Sequence, residues 1–203
     1  FAARALIGLN RARSWQEFNT ALDEWSDPAL NFVYADREHI GYRMAGRIPR
    51  RKQGVGAVPV PGWSGEYDWD GFVPADEQPR SFDPPRGFLA SANNQIVGAA
   101  FPHFVSVHSM NGARAHRIEQ LLDATPKHSV ASLAALQLDQ FSAPALRWRD
   151  LLLAERAAVL DDPALALLDR LAVRVIDELA AWDGVFGKDS RLAAVYELLQ
   201  HFA

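Results

Sequence analysis

The run NFVYA, residues 31–35, is followed after four residues by IGYRM, residues 40–44, and this pair decides the fold. Both runs are rich in β-branched and aromatic residues, which favour strands. The connecting residues 36–39 are short and polar. Two strand-like runs joined in this way are typical of a β-hairpin. The sequence therefore predicts an antiparallel hairpin over residues 31–44.

A helix is predicted just before the hairpin. Ser14 and Glu17 have the spacing of a capping box at a helix N-terminus. Apolar residues then recur at helical spacing up to a stop near Pro28; they are Trp15, Phe18, Leu22 and Trp25. This pattern predicts a helix of about three turns. The first part of the chain therefore mixes helix and strand, which places it in the α+β class.

Residues 47–87 differ from this pattern in composition. They include seven of the twelve prolines and, between these, the aromatic residues Trp63, Tyr67, Trp69 and Phe72. Prolines and glycines at this density oppose helices and central strands, so we predict a long loop. Because disordered segments are poor in aromatic residues, we expect these rings to hold the loop against a surface.

After the loop, the stretch GFLASANNQ, residues 87–95, is predicted as a strand of small residues, and the chain then becomes helical. The first predicted helix begins near Arg114 and ends at Thr125-Pro126. Further predicted helices cover residues 130–140 after the cap Ser129, residues 144–160, and residues 164–182 before Gly184. A last predicted helix is capped at residues 188–190 and runs through Leu199. We therefore divide the chain into an α/β part, residues 1–110, and a helical region, residues 111–203, within one larger domain.

Composition excludes several classes of protein. The 203 residues are 49% hydrophobic, which is enough to form a core. The net charge is −4, and the basic residues are scattered except at residues 47–52, so we expect no nucleic-acid partner. There is no cysteine, which excludes disulfides and thiolate metal sites but leaves the compartment open. No apolar run approaches the length of a membrane span, and the first residues do not have the pattern of a signal peptide.

A self-contained active site is not evident. The sequence has no G-x-S-x-G elbow, no phosphate-binding loop and no H-E-x-x-H motif. The six histidines do not pair with carboxylates at metal-ligand spacing on a common helical face. The residues themselves therefore predict no metal centre and no nucleophile with an adjacent base.

Several stretches, in order, resemble the penicillin acylase family of N-terminal-nucleophile hydrolases, in the interior of its large β subunit. They are NRARSWQEF, NFVYADREHIGYRMAGRIPRR, PVPGWSGEYDWDGFVP, FDPPRGFLASANN and RAHRIEQLL, and more faintly QLDQFS and AAWDG. The glycine-proline-tryptophan loop that leads into small residues and an asparagine is the most specific part. The end of the chain, from about residue 146, resembles the family only loosely.

The resemblance implies a fold, a reaction and partners. We expect part of the four-layer αββα core followed by a helical region. Family enzymes cleave linear amides with an N-terminal serine whose own α-amino group is the base. The first residue of this sequence is Phe1, which cannot act as that nucleophile. We therefore expect an interior fragment that is inactive alone and that works with the rest of the β subunit and the α subunit of the same precursor.

The resemblance also assigns two catalytic residues. Asn93 aligns with the family's oxyanion-hole asparagine, and Arg114 with the arginine beside it. A guanidinium can only donate, so it would engage the amide oxygen and leave the NH₂ group facing the substrate. Two alternatives are that residues 93–94 merely end a strand, and that Arg117, one turn further on, takes the place of Arg114.

Two further positions follow from the alignment with the family. Leu6 and Leu30 align with positions that line an acyl pocket, although both could equally be plain core leucines. Members with a structural calcium carry an aspartate where this chain has His103, a poor ligand for a cation that prefers oxygen. We therefore expect no cofactor, and no calcium bound through this position.

The substrate of the intact enzyme is left open by the sequence. An N-acyl homoserine lactone, a β-lactam side chain or a similar acylated amine would each fit the resemblance, which also implies a periplasmic or secreted location. One alternative is an independent binding module in which residues 63–72 form an aromatic platform for a sugar or peptide. Another is a degenerate family member that has lost its nucleophile.

Overall fold

The computed structural model describes residues 2–157 and 169–202. Its contacts divide the chain into two compact units, Phe1–Ala115 and His116–Ala203. The division predicted from the sequence, between residues 110 and 111, stays a prediction about the larger protein. Among the described residues, no helix combines the length and the apolar character that crossing a membrane requires.

The first unit is a mixture of short helices and antiparallel strands. In chain order its elements are α1 (Ala2–Arg11), α2 (Trp15–Leu22), β1 (Leu30–Ala35), β2 (Ile40–Ala45), β3 (Pro49–Arg51), β4 (Trp69–Phe72), a short 3-10 helix (Ala75–Glu77) and β5 (Arg80–Phe82). One sheet has the order β1-β2-β5, and β3 pairs with β4 in a second sheet. This mixed architecture confirms the predicted α+β class.

The predicted hairpin is confirmed, and its turn has a clear cause. Leu30 pairs with Ala45 at the open end of β1 and β2, and Ala35 pairs with Ile40 at the turn. The carboxylate of Asp36 accepts hydrogen bonds from the backbone N–H groups of residues 38 and 39, at 2.8 and 2.7 Å. An aspartate that binds the backbone two and three residues on stabilises a tight turn, so the local sequence alone specifies the hairpin.

Helix α2 begins as predicted but ends earlier. The Ser14 hydroxyl accepts from the Glu17 N–H at 3.2 Å, while the Glu17 carboxylate accepts from the N–H of Arg13, one residue before the expected partner. The helix was predicted to reach Trp25 and ends at Leu22. Its continuation is replaced by a bend in which the Trp25 indole donates to the carbonyl of Pro28 at 2.6 Å.

Helix α2 packs against the hairpin through an aromatic cluster. Phe18 and Leu22 are buried with Ala45 of β2. The ring of Trp15 stacks on Phe18 and on Phe82 of β5, with centroids 5.6 and 5.2 Å apart. Burial of these apolar side chains stabilises the unit far more than the short helix could by itself.

One buried arginine joins the same two elements by polar contacts. The Arg43 side chain is only 4% exposed, on strand β2. Its guanidinium donates to the Asn19 carbonyl at 2.9 Å and to the Asp23 carboxylate at 2.6 Å, both at the C-terminal end of α2. A cation at this end also faces the negative end of the helix dipole. Arg43 therefore fixes the helix on the sheet.

The segment over residues 47–87 is more ordered than predicted. Strands β3, β4 and β5 lie within it, and β5 pairs with β2 from about 40 residues away. A pairing between distant segments leaves no local signal in the sequence, which is why it was missed. The expectation that the aromatic rings hold the segment down is wrong for Trp63 and Trp69, which are 91% and 60% exposed.

Backbone contacts and one buried residue hold this segment instead. The Lys52 N–H donates to the carbonyl of Asp68 at 3.0 Å, and the Arg50 guanidinium donates to the carbonyl of Asp70 at 3.1 Å. Val73 is buried with Met44 and Ile48. The loop is thus attached along its two ends, while its tip is exposed.

The second unit is helical, as predicted. Helix α3 (Ala113–Asp123) leads into it, and the helices that follow are α4 (Val130–Gln137), α5 (Ala143–Ala154), α6 (Asp169–Ala180) and α7 (Arg191–Phe202). Ser129 forms the predicted cap of α4, and Ser190 accepts from Ala193 at the start of α7. The predicted start of a helix at residues 162–163 lies outside the described residues. The buried centre holds Ala145, Leu179, Trp182 and Ala193.

A titratable pair links the hairpin turn to the end of β5. Nδ1 of His39 lies 2.5 Å from Oδ2 of Asp83, and both side chains are exposed. The hydrogen bond to Asp83 raises the pKa of His39 above its ordinary 6.5, and the charges of Asp36 and Glu38 add to this. The N–H of Ile40 and the His39 ring lower the pKa of Asp83 below 3.8.

We expect this pair to make stability depend on pH. Because the pKa of His39 is raised in the folded state, the stabilisation that its pair provides is complete below about pH 6.5 and is lost as the pH rises through the folded pKa. Because the pKa of Asp83 is lowered, its contribution to stability is present only above about pH 4. The Tm difference between the protein and His39→Gln should therefore be larger at about pH 5.5 than at about pH 8.5. Thermal unfolding at both values checks this, and a difference that does not change with pH would contradict it.

Candidate active site

The stretch GFLASANNQ is extended in part but does not form the predicted strand. Gly87 and Asn93 both have positive φ, +75° and +60°, so the chain turns at each end of the stretch. Its one sheet-like contact is an isolated bridge between Asn94 and Met110. The five residues between the two turns therefore have no partner strand within the described residues.

The backbone around Asn93 is held on both sides. The carbonyl of Asn93 accepts a hydrogen bond from the N–H of Met110 at 2.8 Å. The side-chain oxygen of Asn94 accepts from the N–H of Ala92 at 3.0 Å, and Ala92 itself is buried. Asparagine tolerates the left-handed backbone region better than most residues. The local structure thus fixes the Asn93 backbone while its side chain is exposed.

Arg114 lies directly against this asparagine. Its Nη2 donates to the side-chain oxygen of Asn93 at 3.2 Å, and its Nη1 lies 3.6 Å from the sulfur of Met110. Arg114 is the second residue of α3, so the helix start presents it toward Asn93. Because the amide oxygen is occupied by a cation, the amide nitrogen of Asn93 has two N–H groups available for another acceptor. The structure thus brings together the two residues that the sequence singled out.

Arg117, the alternative to Arg114, binds elsewhere. Its guanidinium forms a two-pronged ion pair with Asp139, at 2.8 and 2.9 Å, and lies 4.5 Å from the centroid of the Phe141 ring. The hydrogen bond raises the pKa of Arg117 and lowers that of Asp139. Both partners belong to the second unit, so these contacts indicate a structural role for Arg117.

Asn93 opens onto a cavity of about 450 Å³ in the first unit. Its wall combines apolar and polar side chains, among them Asn31, Met44, Ile96, Phe101, His103 and His108. A space of this size with a few polar groups is typical of a site for a small molecule. The cavity places room for a substrate beside the free face of the Asn93 amide.

Leu6 and Leu30 lie outside this cavity. Neither contributes to its wall, and they are 49% and 42% exposed. Neither side chain is buried within this chain, and their place in an acyl pocket stays a prediction. Leu30 is nevertheless next to Asn31, whose side chain donates to the hydroxyl of Ser91 in the GFLASANNQ stretch at 3.2 Å.

The imidazole of His103 contacts a carboxylate of the short 3-10 helix. Nε2 of His103 lies 2.6 Å from the Glu77 carboxylate, the side chains being 19% and 52% exposed. Calcium requires six to eight oxygen ligands, whereas this pair offers one carboxylate that is already engaged. Within the described ranges, no group of three or more potential ligands could hold a metal ion. His103 instead attaches the cavity wall to the short 3-10 helix.

Comparison with known proteins gives the family. A protein-family model described as penicillin amidase matches residues 2–203. The chain belongs to the penicillin amidase family. Among individual relatives, the acyl-homoserine lactone acylase QuiP of Pseudomonas aeruginosa is 35% identical over 205 residues, which cover 95% of this chain and 23% of the relative. The penicillin acylase 2 proenzyme of a Pseudomonas species is 34% identical over 158 residues, covering 77% of this chain and 19% of the relative.

A solved structure of the same family shows the fold. Thermostable penicillin G acylase from Alcaligenes faecalis matches with a TM-score of 0.67 and 24% identity, over 93% of this chain and 33% of that structure. The predicted family and the predicted N-terminal-nucleophile hydrolase fold are thereby confirmed. The chain spans about a quarter or less of the length of these curated penicillin amidase relatives.

The contribution of Met110 was not predicted from the sequence. Its backbone binds Asn93 and its sulfur lies beside Arg114. One signal was available, because Met110 stands four residues before Arg114, at the spacing of neighbours on a helical turn. Methionine carries no acid, base or charge, however, and so attracts no attention in a search for catalytic residues.

Proposed function

We propose that the full-length protein is an amide hydrolase of the penicillin acylase type and that this chain supplies its oxyanion-hole donor, Asn93. One observation carries the proposal: the Arg114 guanidinium occupies the Asn93 amide oxygen, so the amide N–H groups point away from it, at the edge of a cavity. The names of the relatives, an acyl-homoserine lactone acylase and penicillin acylases, support the same reaction.

The proposed chemistry requires a donor that is neutral and fixed in advance. When the nucleophile attacks the substrate carbonyl, negative charge develops on the carbonyl oxygen. The Asn93 amide donates to that oxygen without losing a proton at any ordinary pH. Arg114, bound to the amide oxygen at 3.2 Å, polarises the amide and makes its N–H groups better donors.

The remaining groups of the reaction are proposed to come from outside this chain. An N-terminal serine of the same β subunit attacks, its α-amino group takes the hydroxyl proton and passes it to the leaving amine, and water then releases the acyl group. The rest of the β subunit and the α subunit are the proposed partners. Leu6 and Leu30, both exposed, are proposed contacts of the acyl group.

Two further parts of the proposal concern metal and location. We propose that the protein binds no calcium through His103, because the Glu77 carboxylate already occupies its imidazole. We also propose a periplasmic or secreted location, by analogy with the family. The alternative of an aromatic binding platform rests on residues 63–72, where Trp69 and Phe72 form a close ring pair and Trp63 is 91% exposed.

The activity can be tested with the full-length protein and two amide substrates, an N-acyl homoserine lactone and penicillin G. We expect release of a free amine and a carboxylic acid in equal amounts, measured by mass spectrometry. Opening of the lactone ring without a free amine would identify a different hydrolase. No reaction on either compound or on other linear acyl amides would contradict the proposed activity.

A further inference from the structure

We propose that Met110 is a positioning residue of the oxyanion hole, acting through both Asn93 and Arg114. This inference rests on the proposed function of Asn93. Three contacts carry it: the Met110 N–H on the Asn93 carbonyl at 2.8 Å, the Met110 sulfur 3.6 Å from the Arg114 Nη1, and the Arg114 Nη2 on the Asn93 amide oxygen at 3.2 Å. Together they form a closed ring of three residues.

The backbone contact fixes the direction of the Asn93 side chain. Asn93 has a φ of +60°, a left-handed conformation that asparagine tolerates and that surrounding contacts can hold in place. The bond from the Met110 N–H and the bridge to Asn94 provide such contacts. Because the backbone angles set where Cβ points, they also set where the amide can donate.

The sulfur contact fixes the orientation of the guanidinium. Arg114 is exposed, and an exposed arginine has many rotamers among which a single hydrogen bond selects incompletely. Its two terminal nitrogens contact two different residues, Met110 and Asn93, and a planar group held at two points cannot turn freely. A fixed guanidinium keeps the Asn93 amide oxygen occupied and its NH₂ group directed outward.

Burial argues against a purely structural role for Met110. Its side chain is 60% exposed, whereas the other methionine of the chain, Met44, is 8% exposed in a hydrophobic cluster. Methionine in a core fills irregular space, and Met44 fits that description. Met110 instead has its backbone and its sulfur directed to the two residues of the proposed oxyanion hole.

Two substitutions in the full-length protein test this role. Met110→Leu keeps the backbone N–H and the approximate volume but removes the sulfur acceptor, and Met110→Gln places an amide oxygen at a similar distance along the side chain. We expect Met110→Leu to lower kcat by about threefold to tenfold, as for one hydrogen bond, with KM and Tm unchanged. Met110→Gln should restore kcat to within about twofold, because its oxygen can accept from Arg114.

A further pair of variants separates this role from packing. In an Arg114→Ala background, Met110→Leu should lower kcat no further, because its sulfur acts through the guanidinium. Wild-type kcat in Met110→Leu, or a loss that follows Tm and is not rescued by Met110→Gln, would overturn the proposal. If Met110→Leu fails to fold, kcat of Met110→Gln is compared with kcat of the wild type. A tenfold loss of kcat in Met110→Gln would also overturn the proposal.

The same kinetic series shows which proposal has failed. If Asn93→Ala has normal turnover, the oxyanion assignment fails and the positioning role fails with it. If Asn93→Ala is inactive while Met110→Leu is normal, only the positioning role fails. Both results are read from kcat of the same full-length protein on the same amide substrate.

Discussion

Replacing Asn93 by alanine in the full-length protein is expected to lower kcat by about a hundredfold to a thousandfold, the usual effect of removing one oxyanion-hole donor. Substrate affinity should change little, because the lost contact forms only when charge develops on the carbonyl oxygen. The unfolding midpoint should also change little, since the Asn93 side chain is exposed and its main polar contact is with exposed Arg114. Steady-state kinetics and thermal unfolding of the same preparation measure both.

Two control variants separate the amide from the backbone. Asn93→Gly removes the donor but accepts the positive φ of this position, so it should be as inactive as alanine without any backbone strain. Asn93→Asp keeps the shape of the side chain and an acceptor for Arg114 but removes the N–H groups, and it should also be inactive. Near-normal turnover in Asn93→Ala or Asn93→Asp would contradict the assignment.

Replacing Asp23 by asparagine is expected to destabilise the first unit by about 1 to 2 kcal/mol, because Asp23 is 57% exposed and asparagine still offers an acceptor to the buried Arg43. The guanidinium of Arg43 is almost completely buried, and its Nη2 lies 2.6 Å from the Asp23 carboxylate. The substitution leaves that charge buried without its carboxylate partner, which is far less favourable than removing the whole pair. Urea unfolding of wild type and variant, with the slope m compared as well as the midpoint, measures the change.

Matched variants define what this result means. Arg43→Met removes the buried charge and keeps an apolar chain of similar length, so it should be less destabilising than Asp23→Asn. Glu66→Gln neutralises an exposed carboxylate in the loop and should change stability by less than about 0.5 kcal/mol. If Asp23→Asn changes the free energy of unfolding as little as Glu66→Gln does, the contact between Arg43 and Asp23 does not stabilise the packing of α2 on β2.

The parts of the fold that could be predicted are those specified by local chemistry. The Asp36 turn of the hairpin and the serine caps of α2 and α4 each depend on residues within four positions of one another. Strand β5 was missed for the opposite reason. Strand β5 forms because it lies beside β2, and a segment of three residues has no pattern of its own before that pairing exists.

The candidate site was predictable to the extent that it resembles a known family. Asn93 and Arg114 stand in ordered family motifs, and the structure places them in hydrogen-bonding contact. The role proposed for Met110 depends on a backbone N–H and a thioether, for which the spacing of four residues to Arg114 was only a weak signal. The acyl contacts proposed for Leu6 and Leu30 stay predictions.

A crystal structure of the full-length protein trapped by a tetrahedral inhibitor would show whether the Asn93 amide binds the oxygen on which negative charge develops. A boronic acid that carries the acyl chain would add the nucleophile's hydroxyl to its boron and mimic the tetrahedral intermediate. We expect the side-chain nitrogen of Asn93 at about 2.7 to 3.1 Å from the inhibitor oxygen, with Arg114 still bound to the amide oxygen. An Asn93 nitrogen more than about 4 Å from that oxygen, or turned away from it, would contradict the account.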